Sequence, residues 1–194
     1  MTRARHIFSQ TRRKTLKLYP GVARTMWKLI NNGIRIIVLS DAMAFSAEQR
    51  LEHLEVSQYI WALYALQTYP LPEEPLLDKL IINRIKTGFY RSRVGKVVQM
   101  PLEYEKPNPA GVRLLLEEEG ISPGQAVLVE DNRKKDIRIA QEMGIADIWA
   151  RYGTVITPEA RNKLNYYSAA SIRKRNVAQE GETDYSPTYT IDRF

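Results

Sequence analysis

Six side chains of this 194-residue chain have the types and places that could do chemistry: Ser40, Asp41, Lys106, Glu130, Asp131 and Asp136. Ser40 and Asp41 close the run "IIVLSD", Lys106 opens "KPNP", and the three acids lie in "VLVEDNRKKDI". A hydroxyl and an ammonium can hold phosphoryl oxygens, and carboxylates are the hard oxygen donors a magnesium ion takes. Taken singly, Ser40 reads as a turn or cap residue and Lys106 as a surface lysine ahead of a proline. The Glu130–Asp131 pair says more, because two acids directly after an apolar strand core cost desolvation unless positive charge meets them.

The elements that must position these residues follow from the hydrophobic rhythm. "YPGVARTMWKLINNG" opens on a turn, places Val22, Met26, Leu29 and Ile30 at helical spacing, and stops at Gly33. Ile34 to Leu39 read as a strand buried on both faces, which puts Ser40 and Asp41 just past its carboxyl end. Ser46 is the expected cap of a helix from Ala47, and "YIWALYAL" reads as a strand on its aromatics. Residues 68–105 read as a connection with a helix near Leu76 to Ile85 and a short strand at Lys96 to Met100. "NPAGVRLLLEEEGI" is then a helix with Val112, Leu115 and Leu116 inward, "QAVLVE" a strand, "KKDIRIAQEMGI" a helix and "ADIWARYG" a strand. A helix over Pro158 to Ser168 and a polar tail complete the chain.

Alternation of this kind implies an α/β fold, a three-layer Rossmann-like parallel sheet whose ligands gather outside the carboxyl ends of the strands. Ser40, Lys106 and the acids would all lie at that edge.

Composition sets the bounds. With no cysteine, the chain has no disulfide, thiolate metal site or cysteine nucleophile, and it is compatible with the cytoplasm. No apolar run reaches the 18 or so residues of a membrane span, so no membrane partner is expected. The net charge of +7 is concentrated at the start, where residues 1–40 hold nine Lys or Arg and no acid. A basic leader could be a transit peptide or a nucleic-acid patch, but no stacking pattern or nucleic-acid module accompanies it, so nucleic acid is not the expected partner.

Taken together and in order, "LYPGV" (18–22), "IIVLSD" (36–41), "KPNP" (106–109) and "VLVEDNRKKDI" (127–137) resemble the haloacid dehalogenase (HAD) superfamily. The resemblance is to its capped phosphatases of the phosphoglycolate phosphatase and beta-phosphoglucomutase type. It implies a magnesium-dependent phosphatase acting on a small phosphorylated metabolite. In that family the residue matching Ser40 binds phosphate, with Asp41 beside it, and the one matching Lys106 is the site lysine. The acids matching Glu130 and Asp131 hold Mg²⁺ directly or through water, and the one matching Asp136 supports the site from the following helix. It also implies a division into a cap-return linker or remnant at 1–17, a core at 18–156, and a C-terminal helix and tail at 157–194.

One family feature is missing. The first motif of the HAD superfamily is a strand ending in Asp-x-Asp, whose first Asp is the nucleophile, and none of the seven aspartates here forms such a pair. The expectation is a core incomplete at its N-terminus: a fragment, or an inactive protein, or one completed by another chain. The absent strand would be central, so the strands at 34–39 and 126–130 should either pair directly or each keep an unpaired edge. The alternatives are a non-catalytic module binding a phosphorylated ligand or a protein, and a basic nucleic-acid binder. The substrate and oligomeric state are not legible in the sequence.

Overall fold

The computed structural model describes residues 11, 14–67, 93–154, 158–159, 162 and 185–193, and the chain divides into two compact units, Met1–Glu105 and Lys106–Phe194. The expected helix at 76–85 lies outside the described residues, as does most of the one at 158–168.

The first unit opens with helix α1 (Val22–Asn31), entered through Gly21 in the left-handed conformation. Its end is a tight glycine stop: Gly33 has φ 76, its N–H donates to Ile30 O at 2.9 Å, and the Ile34 N–H donates to Leu29 O at 3.0 Å. That second bond ties Ile34 to the helix, which is why strand β1 runs over Ile37–Met43 and not over the expected 34–39. Ser40 and Asp41 therefore stand within the strand, where its pairing is irregular between Ser40 and Met43. Helix α2 (Ala44–His53) follows without a break; Ser46 lies inside it and no side chain caps it. Small residues explain the abrupt start, since Ala44 and Ala47 are both buried and let the helix sit close.

β2 (Ala62–Leu66) is buried along its whole length because it is the middle strand, parallel to β1 on one side and to β3 (Lys96–Met100) on the other. The core joins Ala44, Ala47, Ile60, Leu63, Ala65 and Val94, with Met26, Val38 and Leu51 packed against it. Gly95 must be glycine for lack of room: a Cβ there would lie 2.6 Å from the Trp61 carbonyl oxygen.

The second unit begins with helix α3 (Ala110–Glu119), which buries Val112 and Leu116. β4 (Val127–Glu130) leads into one π-type turn at Arg133–Ile137 and then helix α4 (Arg138–Glu142), so the expected helix is shorter and starts irregularly. β5 (Ala146–Ala150) pairs in parallel with β4 and with β6 (Tyr189–Ile191). The tail thus supplies a strand to this sheet, and Asp147 holds it. This fully buried carboxyl group accepts from the Thr188 N–H at 2.9 Å, the Thr188 hydroxyl at 2.8 Å and Gln141 Nε2 at 3.3 Å.

The parallel α/β architecture is therefore present, among the described residues as two three-stranded sheets, β1-β2-β3 and β4-β5-β6. Among the described residues β1 pairs only with β2 and β4 only with β5, so each keeps one unpaired edge. Val127 and Val129 of β4 are more than half exposed, at 59% and 54%.

Asp147→Ala should cost about 3 kcal/mol, since two donors of Thr188 lose a buried acceptor at once. Denaturant unfolding measures the loss, and limited proteolysis should show early cleavage within 185–193. Unpaired apolar edges favour association. Val129→Lys should accordingly raise the monomer fraction seen in sedimentation without lowering the unfolding midpoint by more than a degree or two.

Candidate active site

The carboxyl end of β4 delivers Glu130 and Asp131, and the turn after it decides where the next acid goes. Asn132 caps that turn through its side chain, which accepts from the Lys135 N–H at 3.1 Å. Its carbonyl receives both the Asp136 N–H at 2.8 Å and the Ile137 N–H at 3.3 Å. The second bond is the wide i to i+5 closure of a π turn, a distortion frequent at functional sites. It brings Asp136 inward, to a side-chain exposure of only 5%. Uneven spacing of the acids is thus what a strand end followed by one wide turn requires.

Lys106 meets them from the segment ahead of α3, where its peptide bond to Pro107 is cis. Its ammonium lies 2.6 Å from Asp136 Oδ1 and 3.2 Å from Glu130 Oε1, and its side chain is 10% exposed. Charges this shielded from water are tolerated only when paired, so the lysine and the two acids hold one another in place. Three carboxyl groups against one ammonium still leave the cluster short of positive charge. The pKa of Glu130 is raised by its burial; the Lys106 charge opposes the rise, and the charges of Asp136 and Asp131 add to it.

The structure brings Lys106, Glu130 and Asp136 into contact within the second unit, with Asp131 next along the chain. Ser40 and Asp41 belong to the first unit, where the Ser40 hydroxyl accepts from the Ala42 N–H at 3.1 Å. Among the described residues no group of three or more His, Cys, Asp or Glu could hold a metal ion. A magnesium ion asks for less, since it keeps several waters and takes one or two carboxylates. Glu130 and Asp131 suit it in donor chemistry and in the negative charge they carry, while Asp136 is engaged by Lys106.

Two neighbours of the acids are not apparent from sequence periodicity. Trp149, the register partner of Glu130 in the β4–β5 pair, donates its indole N–H to the Asp131 carbonyl at 2.9 Å. Gly153 lies against the Asp131 side chain. The register that puts Trp149 opposite Glu130 and the placement of Gly153 both come from pairing and packing that the sequence pattern does not carry.

Lys106→Met should destabilise the protein by roughly 3–5 kcal/mol, because it strands the Asp136 charge. Most of that loss should return in Lys106→Met/Asp136→Leu, as denaturant unfolding would show. Glu130 gives a pH signature. A raised folded-state pKa means the folded protein holds the proton more tightly, so Glu130's contribution to stability falls as pH climbs from 4.5 through its raised value. The difference in unfolding free energy between wild type and Glu130→Gln should shrink or reverse sign across that window.

The family description "haloacid dehalogenase-like hydrolase" matches residues 3–144, and a second, HAD-hydrolase-like, matches residues 103–192. Among solved structures, a putative phosphatase from Clostridium difficile superposes with a TM-score of 0.56 at 14% identity, over 98% of this chain and 63% of that one. A predicted phosphoglycolate phosphatase from Haemophilus somnus gives 0.47 at 21% identity, over 70% of this chain and 45% of that one. The chain thus spans about half to two-thirds of the length of these structures. No curated protein matches it. With a family match over most of its length and four ordered motifs on a parallel α/β frame, the chain belongs to the haloacid dehalogenase-like hydrolases.

Proposed function

We propose that the carboxyl end of β4 is the phosphate- and magnesium-binding part of a HAD-type phosphatase whose substrate is a small phosphorylated metabolite. One observation carries this reading: the buried Lys106 ammonium shared between Glu130 at 3.2 Å and Asp136 at 2.6 Å, at the strand edge where ligands of parallel sheets gather. Asp136 fixes the ammonium, which presents its positive charge to a phosphoryl oxygen. Glu130 and Asp131 are the residues that would hold Mg²⁺, which when bound neutralises charge on the transferring phosphoryl group. Ser40 is the hydroxyl assigned to phosphate binding, with Asp41 beside it.

In a HAD-type transfer the covalent nucleophile is the first carboxylate of Asp-x-Asp, in line with the leaving oxygen, and these 194 residues contain no Asp-x-Asp. The reading is therefore of a site that binds and polarises a phosphate ester, with the nucleophile not among its identified residues. The non-catalytic alternative, a module that binds a phosphorylated ligand, uses the same groups. No described helix is long and apolar enough to cross a membrane, and a cytoplasmic setting remains the expectation for an enzyme of metabolites.

Calorimetry with Mg²⁺ should give weak affinity, on the order of millimolar, lost in Asp131→Asn. Submillimolar binding that survives this change would remove the assignment. Inorganic phosphate in the presence of Mg²⁺ should bind to wild type and weaken by about tenfold in Ser40→Ala and in Lys106→Arg. Hydrolysis of p-nitrophenyl phosphate by residues 1–194 should stay at the magnesium-only background, since losing the covalent partner removes several orders of magnitude in rate. Turnover abolished by Asp41→Asn would instead make Asp41 the nucleophile.

A further inference from the structure

We infer that Trp149 and Gly153 are positioning residues for Asp131: the indole N–H fixes its main chain and the bare Cα of Gly153 fixes where its carboxylate can stand. This deepens the reading above and rests on Asp131 being a magnesium ligand.

Asp131 comes just after the last residue of β4, where the ladder no longer holds it. The 2.9 Å bond from Trp149 Nε1 to its carbonyl replaces that support. The indole is itself restrained. Arg133 lies over its ring at 5.1 Å and Arg151 at 5.9 Å. Both guanidinium groups are tied to the segment that carries β6. Arg133 donates to the Tyr185 carbonyl through Nε at 3.2 Å and Nη2 at 2.6 Å, and Arg151 reaches Asp192 at 2.9 Å. A planar ring held by two cations and one hydrogen bond has little freedom to swing.

Gly153 supplies the other constraint. It does not adopt a positive φ, so its backbone would accept any residue. Space is the constraint: a Cβ at 153 would lie 3.0 Å from Asp131 Cβ and 3.4 Å from Asp131 Oδ2, so Asp131 would have to give by a few tenths of an ångström. Carbon atoms prefer about 3.5–4.0 Å, so any side chain at 153 pushes the carboxylate aside. Magnesium demands near-ideal octahedral geometry, which makes a displacement of a few tenths of an ångström costly to binding and nearly harmless to packing at an exposed acid.

Indole N–H resonances of the full chain, followed by ¹H–¹⁵N spectroscopy during titration with magnesium chloride at fixed ionic strength, test this. Trp149→Phe assigns its signal among the three tryptophans. In wild type, Mg²⁺ should shift the Trp149 indole and leave those of Trp27 and Trp61 in place, and Asp131→Asn should abolish the response. Gly153→Ala should move the Trp149 signal before any metal is added and weaken Mg²⁺ about tenfold, as loss of a group that orients a ligand does. Should Gly153→Ala unfold the protein, the pair Asp131→Ala/Gly153→Ala decides: recovery of the thermal midpoint supports the contact, and no recovery overturns it. A Gly153→Ala protein with wild-type Mg²⁺ affinity and an unmoved indole sinks the inference while leaving the magnesium reading intact. If wild type shows no response dependent on Asp131, the magnesium reading fails and this inference with it.

Discussion

The second unit depends on one lysine. Lys106 pairs with Glu130, at the end of β4, and with Asp136, inside the wide turn that follows, and these shielded charges hold one another in place. Everything nearby serves this arrangement. β4 ends where Glu130 must stand, Asn132 caps the turn, and the π-type closure rotates Asp136 inward. The turn would be a defect in a helix built only for stability; here it sets the spacing of the charges.

The electrostatics then lean toward a cation. Burial raises the pKa of Glu130, Lys106 opposes that rise, and the charges of Asp136 and Asp131 add to it. A cation bound at Glu130 would offset the cost that burial places on its charged form. The burial that disfavours the charged Glu130 also shields it from water, so stability and ion binding are tied to the same residue.

Much of this was legible in the sequence because it rests on local chemistry. Apolar runs bounded by turns gave β2, β3, β4 and β5 nearly where they lie, and the motif order gave the family. Misjudged positions were those decided by backbone bonds and close packing that apolar periodicity does not record. β1 begins late because Ile34 bonds back to Leu29, and Ser46 caps nothing because buried alanines let α2 start at once. Trp149 and Gly153 were out of reach for the same reason: hydrophobic periodicity shows neither what an indole nitrogen touches nor where a missing Cβ is needed. The choice between pairing the strands around 36 and 128 and leaving their edges open likewise depended on long-range pairing; among the described residues β1 pairs only with β2 and β4 only with β5.

Residue 188 is held by a carboxyl group 41 positions earlier, and residue 192 by an arginine equally far back. Contacts so distant in sequence carry a loop-closure cost that the neighbouring α4–β5 contacts do not. The order of folding follows: β4, α4 and β5 can assemble early from nearby residues, and the strand that clamps Arg133 and Arg151 onto Trp149 arrives last. The wall of the site would then be the slowest part of the unit to set, and the first to be released when the protein begins to unfold.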